Sequence, residues 1–419
     1  MGKILLKNIT LDDKCVDIRI DGNLISTINP AQNLEENGVE ILDCTNKLAL
    51  PGFINMHTHA GMALMRGLGE DMSFHRWIDE IWKVESDLYP EYVYRATKVA
   101  CLEMIKTGTS TFNDQYWFSS EAHRAASELG IRSFLSYVIM DKNNPEEAKR
   151  QKEECLQFYE ESQSWLGLST FAVGIHAIYT VSEEMIKWAV DFAKERNLLV
   201  HIHLSETEKE VLDCKRDHGG LTPVEYLDSL GVLGPNVIAA HTLWLSDNDV
   251  RILGERKVNC VHNINSNMKL SSGYRFRYNE LRDAGANVCI GTDGCASSNN
   301  LDVLEAMKTS AMMQKAWRKD PTAMPLKELM DVATINGAKA LGLDAGKIAE
   351  GALADIMIID MNNYHFLSPG SNLANFVYSA HSDCVDSLII DGRFVMKNRV
   401  VEGEREILEH AREVVNIKN

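Results

Sequence analysis

Phe53-Ile54-Asn55-Met56-His57-Thr58-His59 is a short apolar run that ends in two histidines. Seven further runs follow it: TSTFNDQYW (109–117), RSFLSYVIMD (132–141), FAVGIHAIYT (171–180), LLVHIHLSET (198–207), VIAAHTLWL (237–245), KVNCVHNIN (257–265) and NVCIGTDG (287–294). Each is rich in Val, Ile, Phe or Thr, the composition of a strand buried on both faces. Between them lie segments of helical character, such as EYVYRATKVACLEMIKTG (91–108), SEEMIKWAVDFAKERN (182–197) and NELRDAGA (279–286). Several close on Gly or Asn before the next run, as helix C-termini do. Eight strands alternating with helices predict a parallel (β/α)8 barrel. The competing architecture, a doubly wound open sheet, lacks its GxGxxG after the first strand.

Both flanks of this region read as strands. KILLKNITL (3–11), CVDIRIDG (15–22) and NLISTIN (23–29) precede it, and GKIAEG (346–351), ADIMIIDM (354–361) and SLIIDGRFVMKN (387–398) follow it. We expect residues 1–52 and 346–419 to pair into one small β-sandwich domain, with the barrel, 53–345, inserted between them.

The 419 residues carry 43 Lys and Arg against 60 Asp and Glu, a net charge of −17. That balance, without a basic block, repels phosphates and argues against nucleic acid as a partner. Nine cysteines, none in a CxxC pair, point away from a disulfide framework and towards a reducing cytoplasm. No stretch reaches the roughly 18 apolar residues of a membrane span, so no membrane partner is expected. The expected partner is a small molecule, and the expected assembly a homo-oligomer.

In a barrel enzyme the chemistry sits at the C-terminal ends of the strands. Seven ionisable groups fall near such ends: His57 and His59 on the first run, His176 on the fourth, His203 on the fifth, His241 on the sixth, His262 on the seventh and Asp293 on the eighth. Residues i and i+2 of a strand share a face, so His57 and His59 can reach one ion. His201 shares the face of His203 but lies one layer deeper, where a hydrogen-bonded role is expected. Three histidines and a carboxylate (His57, His59, His203, Asp293) suit one divalent metal, zinc first, with Fe²⁺ or Mn²⁺ also compatible. Asp293 can both bind the metal and take a proton from its water. Glu206, three residues past His203, is placed to shuttle a proton to a leaving nitrogen. His241 either binds metal or orients the water. The fourth run offers His176 but no lysine to bridge a second ion, which favours a single metal. The HxE…PCxxC and HExxH zinc patterns are absent.

These segments, PGFINMHTHAGMALMRGLGEDMSFHRWI (51–78), HIHLSET (201–207), AAHTLWL (239–245) and GTDGCASSNNLD (291–302), resemble the amidohydrolase superfamily, and within it the branch of 5-methylthioadenosine/S-adenosylhomocysteine deaminases. The resemblance implies catalytic roles for Glu206, His241 and Asp293. It implies substrate contacts from Glu85, on a ribose hydroxyl, and from His176, Glu206 and Asp293. The implied reaction is hydrolytic deamination of a 5′-modified adenosine: methylthioadenosine, S-adenosylhomocysteine, 5′-deoxyadenosine or adenosine itself. Members of the branch usually offer an arginine near the end of the third strand for the homocysteine carboxylate. Here Tyr137 stands about there, with Lys149 and Arg150 following. Two alternatives remain: turnover of another N-heterocycle (guanine, an oxidised purine, a pterin or a chlorotriazine), and a non-catalytic scaffold, which the complete ligand set opposes.

Overall fold

The computed structural model describes residues 2–30 and 38–416. Five strands open the chain: β1 (Lys3–Leu11), β2 (Lys14–Asp21), β3 (Leu24–Pro30), β4 (Glu40–Asp43) and β5 (Lys47–Pro51). The next eight are β6 (Phe53–Thr58), β7 (Thr109–Tyr116), β8 (Arg132–Ile139), β9 (Ser169–Ile175), β10 (Val200–Leu204), β11 (Val237–His241), β12 (Asn259–His262) and β13 (Asn287–Ile290). They pair in parallel in strict sequence order from β6 to β13, with helices between them. That order excludes a doubly wound sheet, in which the chain reverses direction across the sheet.

The seam between β13 and β6 is closed by side chains as well as backbone. Asn55 accepts from the Thr292 amide at 3.1 Å and donates to the Thr292 hydroxyl at 2.7 Å. The Asp293 amide donates to the His57 carbonyl at 2.9 Å. Gly291 lies in this seam, where an added Cβ would fall 2.9 Å from the His57 backbone nitrogen. A side chain there would push apart the two strands that carry His57 and Asp293.

The termini supply a second sheet, completed by β14 (Ile356–Asp360), β15 (Val385–Ile390) and β16 (Arg393–Met396). Its strand order is β16-β15-β14-β5-β1-β2-β3, with β4 also paired to β1. The antiparallel β5–β14 ladder, Pro51↔Ile356 to Lys47↔Asp360, is where the two ends of the chain meet. Ile4, Leu6, Ile9, Ile18, Ile20, Ile25, Ile356, Ile358 and Ile389 form its buried core, the alternating inward positions of half-buried strands.

Two features differ from expectation. GKIAEG (346–351) forms turns rather than a strand, with Gly346 and Gly351 at positive φ. The last helix, Glu404–Asn416, packs on the barrel helix Pro90–Lys106 rather than on the terminal sheet. Lys106 binds Glu404 there at 2.8 Å, and Arg399 donates to the Lys106 carbonyl at 2.7 Å. Among the described residues no helix is long and apolar enough to cross a membrane.

Candidate active site

His57, His59, His203, His241 and Asp293 converge at the C-terminal mouth of the barrel. Ligand atoms of His57, His59 and His203 lie within 4.8 Å of one another, as do those of His57, His241 and Asp293. Asp293 Oδ1 is 3.3 Å from His57 Nε2 and 3.2 Å from His59 Nε2. Its other oxygen accepts from the Ser266 hydroxyl at 2.6 Å. Ser205, His241 and Asp293 all adopt positive φ, at 53°, 73° and 66°. Non-glycine residues rarely do so, and such strain gathers where a strand end must aim a functional group.

Hydrogen bonds fix the imidazole tautomers. His59 Nδ1 lies 2.7 Å from the Gln115 carbonyl, and His203 Nδ1 lies 2.7 Å from the His176 carbonyl. A carbonyl only accepts, so both Nδ1 atoms carry the proton and both Nε2 atoms turn their lone pairs inward. Those two Nε2 atoms face each other across 3.2 Å. Two acceptors that close repel unless a positive charge sits between them. His57 Nε2 is also buried and faces the site, with only the 3.3 Å contact to Asp293 Oδ1. Converging imidazole lone pairs beside a carboxylate fit a divalent cation, with outer partners already holding the rings.

The electrostatics agree. Burial pushes Asp293 up, but hydrogen bonds and charge from His57 and His59 outweigh it and hold the carboxyl well below the usual range. Burial pushes His59 down, but Asp293 reverses this and holds it at about 9, so the Nε2 position favours positive charge, whether a proton there or a cation in its place. Burial, reinforced by neighbouring imidazoles, keeps His203 well below its ordinary value.

His241 and Glu206 face each other at 3.7 Å. Asn267 donates to His241 Nδ1 at 2.9 Å, so the neutral ring carries its proton on Nε2, aimed into the site. Burial lowers His241 to about 3 and keeps it neutral. His241 is therefore set up as a hydrogen-bond donor. Burial pushes Glu206 well above the usual carboxyl range, and the Asp293 and Glu210 charges push the same way. It therefore favours its protonated form more strongly than a free carboxyl does.

The mouth opens into a cleft. Its floor is His59, His203, His241 and Asp293; its walls include Trp77, Ile81, Trp82, Trp117, Tyr179 and Leu270. Glu85 and His176 line it too. Tyr116 donates to Glu85 at 2.8 Å, and burial lifts Glu85 to about 7 against that bond. His176 Nδ1 meets the Thr180 hydroxyl at 2.7 Å, and burial lowers this histidine to about 3.

Some strand-end residues lie elsewhere. His262 is not in the cleft: its Nδ1 meets Ser310 at 3.0 Å and its ring stacks on Phe276 at 4.1 Å. Its neighbour Asn263 faces the site instead, 3.5 Å from His241, because successive strand residues point oppositely. Tyr137 also points away, stacked on Phe158 and bonded to Glu154 at 2.7 Å, while Val138 lines the cleft. Lys149 and Arg150 are exposed on the helix Pro145–Ser162, with Arg150 bound to Glu147 and Glu154. His201 lies one layer below the mouth, 2.8 Å from His57 Nδ1 and 3.0 Å from the Asn113 amide.

The supporting groups were not evident in the sequence. Asp114 accepts from Thr58 at 2.8 Å and from the Ala60 amide at 2.7 Å, which fixes the turn after His59. Glu210 accepts from the Ser205 and Glu206 amides. Their only signal is a carboxylate four residues past Glu206 or on the adjacent strand, which spacing alone cannot separate from a surface acid.

A (β/α)8 barrel with histidines and an aspartate converging at its C-terminal mouth defines a class, the metal-dependent barrel hydrolases. The chain belongs to the amidohydrolase family, whose model matches residues 48–395. It is 42% identical to a 5′-deoxyadenosine deaminase of Methanospirillum hungatei, over 98% of this chain and 92% of that protein. It is 40% identical to a 5-methylthioadenosine/S-adenosylhomocysteine deaminase of Archaeoglobus fulgidus, over 95% and 94%. A zinc-bound adenosine deaminase from Xanthomonas campestris superposes with a TM-score of 0.90 at 27% identity, covering 98% of this chain and 97% of that one.

Proposed function

We propose that this protein deaminates 5′-modified adenosines hydrolytically, releasing ammonia and the inosine analogue, with one divalent metal, zinc, held by His57, His59, His203 and Asp293. The barrel, 53–345, is the catalytic unit, and the terminal segments are accessory to it. The observation that carries this reading is Glu206: a buried carboxyl that favours its proton, facing His241 across the floor of an aromatic-walled cleft. The curated relatives, with two 5′-modified adenosine activities between them, support the substrate class.

The ion supplies Lewis acidity that makes water a nucleophile near neutral pH. The chain's own groups do the rest. Asp293, held ionised, takes the proton of the attacking water. His241 Nε2–H donates to the oxygen as it adds to the amino-bearing ring carbon. Glu206 gives its proton to the adjacent ring nitrogen; the proton taken by Asp293 then passes to the amino group as it leaves as ammonia, and the proton of the added hydroxyl returns to Glu206 as the ring carbonyl forms. Glu85 accepts from a ribose hydroxyl, and the aromatic walls exclude water.

The test is ammonia release from methylthioadenosine, S-adenosylhomocysteine, 5′-deoxyadenosine and adenosine, alongside guanine, a pterin and a chlorotriazine. Turnover of the adenosines supports the reading. Turnover of another ring with none of the adenosines sinks it.

A further inference from the structure

Among the described residues, no Lys or Arg lines the cleft. Three lysines stand about its rim, and one of them, Lys142, lies over Trp82. Lys142 Nζ lies 4.4 Å from the ring centroid of Trp82, whose other surroundings include His176, with ring centroids 6.2 Å apart. Trp82 belongs both to the cleft and to the groove that continues outward past Phe74, Ile78 and Tyr179. The lysine's backbone is held by hydrogen bonds, and its head rests on the Trp82 ring. Its amide donates to the Thr180 carbonyl at 2.8 Å, and the preceding Asp141 accepts from the Ser182 amide at 2.8 Å. Thr180 in turn meets His176. Lys142 is exposed, and among the described residues no carboxylate lies within ion-pair distance of it. The other lysines of this rim are occupied: Lys209 by Asp213, and Lys269 by Glu70.

This placement matters because of how a nucleoside must lie. The purine ring has to reach Glu206 and Asp293 at the floor, and the ribose has to reach Glu85 on the wall. The 5′ substituent then leaves along Trp82 towards the rim. We propose that Lys142 is the residue that selects the 5′ substituent, by binding the carboxylate of an amino-acid tail as it passes over Trp82. The inference rests on the deaminase reading above and adds to it which substrates are preferred. In a chain with a net charge of −17, an unpaired cation at the mouth also draws an anionic tail inward rather than letting it be repelled. Trp82 contributes the flat apolar surface for the thioether part of such a tail, and a lysine over a tryptophan is itself held in place by the ring's negative face.

The experiment compares kcat and KM for S-adenosylhomocysteine and methylthioadenosine in the wild type, Lys142→Met and Lys142→Arg. Lys142→Met should raise KM for S-adenosylhomocysteine roughly tenfold, the lower end for a charge-assisted hydrogen bond at an exposed rim. Its kcat should stay near wild type, and methylthioadenosine kinetics should change less than about threefold. Lys142→Arg should retain the preference. Added salt should weaken the wild-type preference towards that of Lys142→Met. Equal effects on both substrates, or none, overturn the inference while leaving the deaminase reading standing. A wild type that deaminates neither substrate overturns both.

Discussion

Glu210 accepts the backbone amides of Ser205 and Glu206, each at 2.8 Å, one on each carboxylate oxygen. This clasp holds Ser205 in its left-handed conformation and so aims Glu206 at His241. Burial lifts Glu210 to about 7, against the hydrogen bonds it accepts from Ser205, Glu206 and Thr207. Glu210→Ala should lower kcat about 10- to 100-fold, the scale of a misplaced catalytic group, with KM changed only a few-fold. Glu210→Gln keeps one accepting oxygen and should lose less. Metal content should match wild type in both; a loss of metal would show that Glu210 supports the whole mouth rather than Glu206.

In the proposed mechanism Glu206 carries the proton transfers, and none of the proposed metal ligands depends on it. Glu206→Gln keeps the shape and removes the acid. The expected loss is roughly 10²- to 10⁴-fold in kcat, with metal content by elemental analysis unchanged. Normal turnover in this variant would refute the assigned shuttle.

His59 and His203 present two inward lone pairs at 3.2 Å, so the folded state should be sensitive to the cation between them. A ligand that binds only the folded state at about 100 times its Kd adds about 2.7 kcal/mol of stability. Prolonged chelation should therefore lower Tm by several degrees as well as abolish activity, and zinc should restore both. His59→Ala should start from the lower Tm and fail to respond to either treatment.

The barrel was legible because its strands are buried on both faces and read as near-continuous apolar runs. His57, His59 and His203 were legible because parity along a strand decides which side chains share a face. The same parity misleads at β12, where a one-residue difference in register turns His262 to Ser310 and brings Asn263 to the site. Glu85 illustrates what spacing cannot show. On the helix Phe74–Glu85 it reads as a solvated acid, and only Tyr116, 31 positions away, identifies it as part of the cleft. Lys142 is hidden for the same reason: its meaning lies in Trp82, 60 positions earlier and on a separate element.

Glu85 also makes a pH prediction with a definite sign. Its folded value is about 7, above its ordinary 4.5, so between these the folded chain holds a proton that the unfolded chain releases. Stability from this group is fully present below about 4.5 and falls as pH rises towards about 7, with a limiting slope of about 1.4 kcal/mol per pH unit. Glu85→Gln removes this contribution. The difference in unfolding free energy between variant and wild type, measured in urea from about pH 5 to about pH 8, should therefore move in favour of Glu85→Gln as pH rises and level off above about 7. A flat difference would mean that Glu85 stays ionised throughout.

Arg132 joins the barrel to the terminal sheet. It opens β8, and its guanidinium lies 3.3 Å from both oxygens of Asp355, which precedes β14, and 3.5 Å from Asp391. Both Arg132 and Asp355 are buried, and Asp355 also accepts the Asp391 amide at 2.7 Å. Removing one member of such a pair strands a charge away from water, which costs more than the pair itself contributes. Arg132→Ala should destabilise the protein by about 3–5 kcal/mol, while Arg132→Met with Asp355→Leu, which removes both buried charges and leaves only the more exposed Asp391 without its partner, should recover part of the loss. Because the arginine spans two sheets, the loss should appear in a single denaturant transition that unfolds barrel and terminal sheet together. Two separated transitions in Arg132→Ala, with the barrel's own midpoint unmoved, would show instead that the pair joins units that are stable independently.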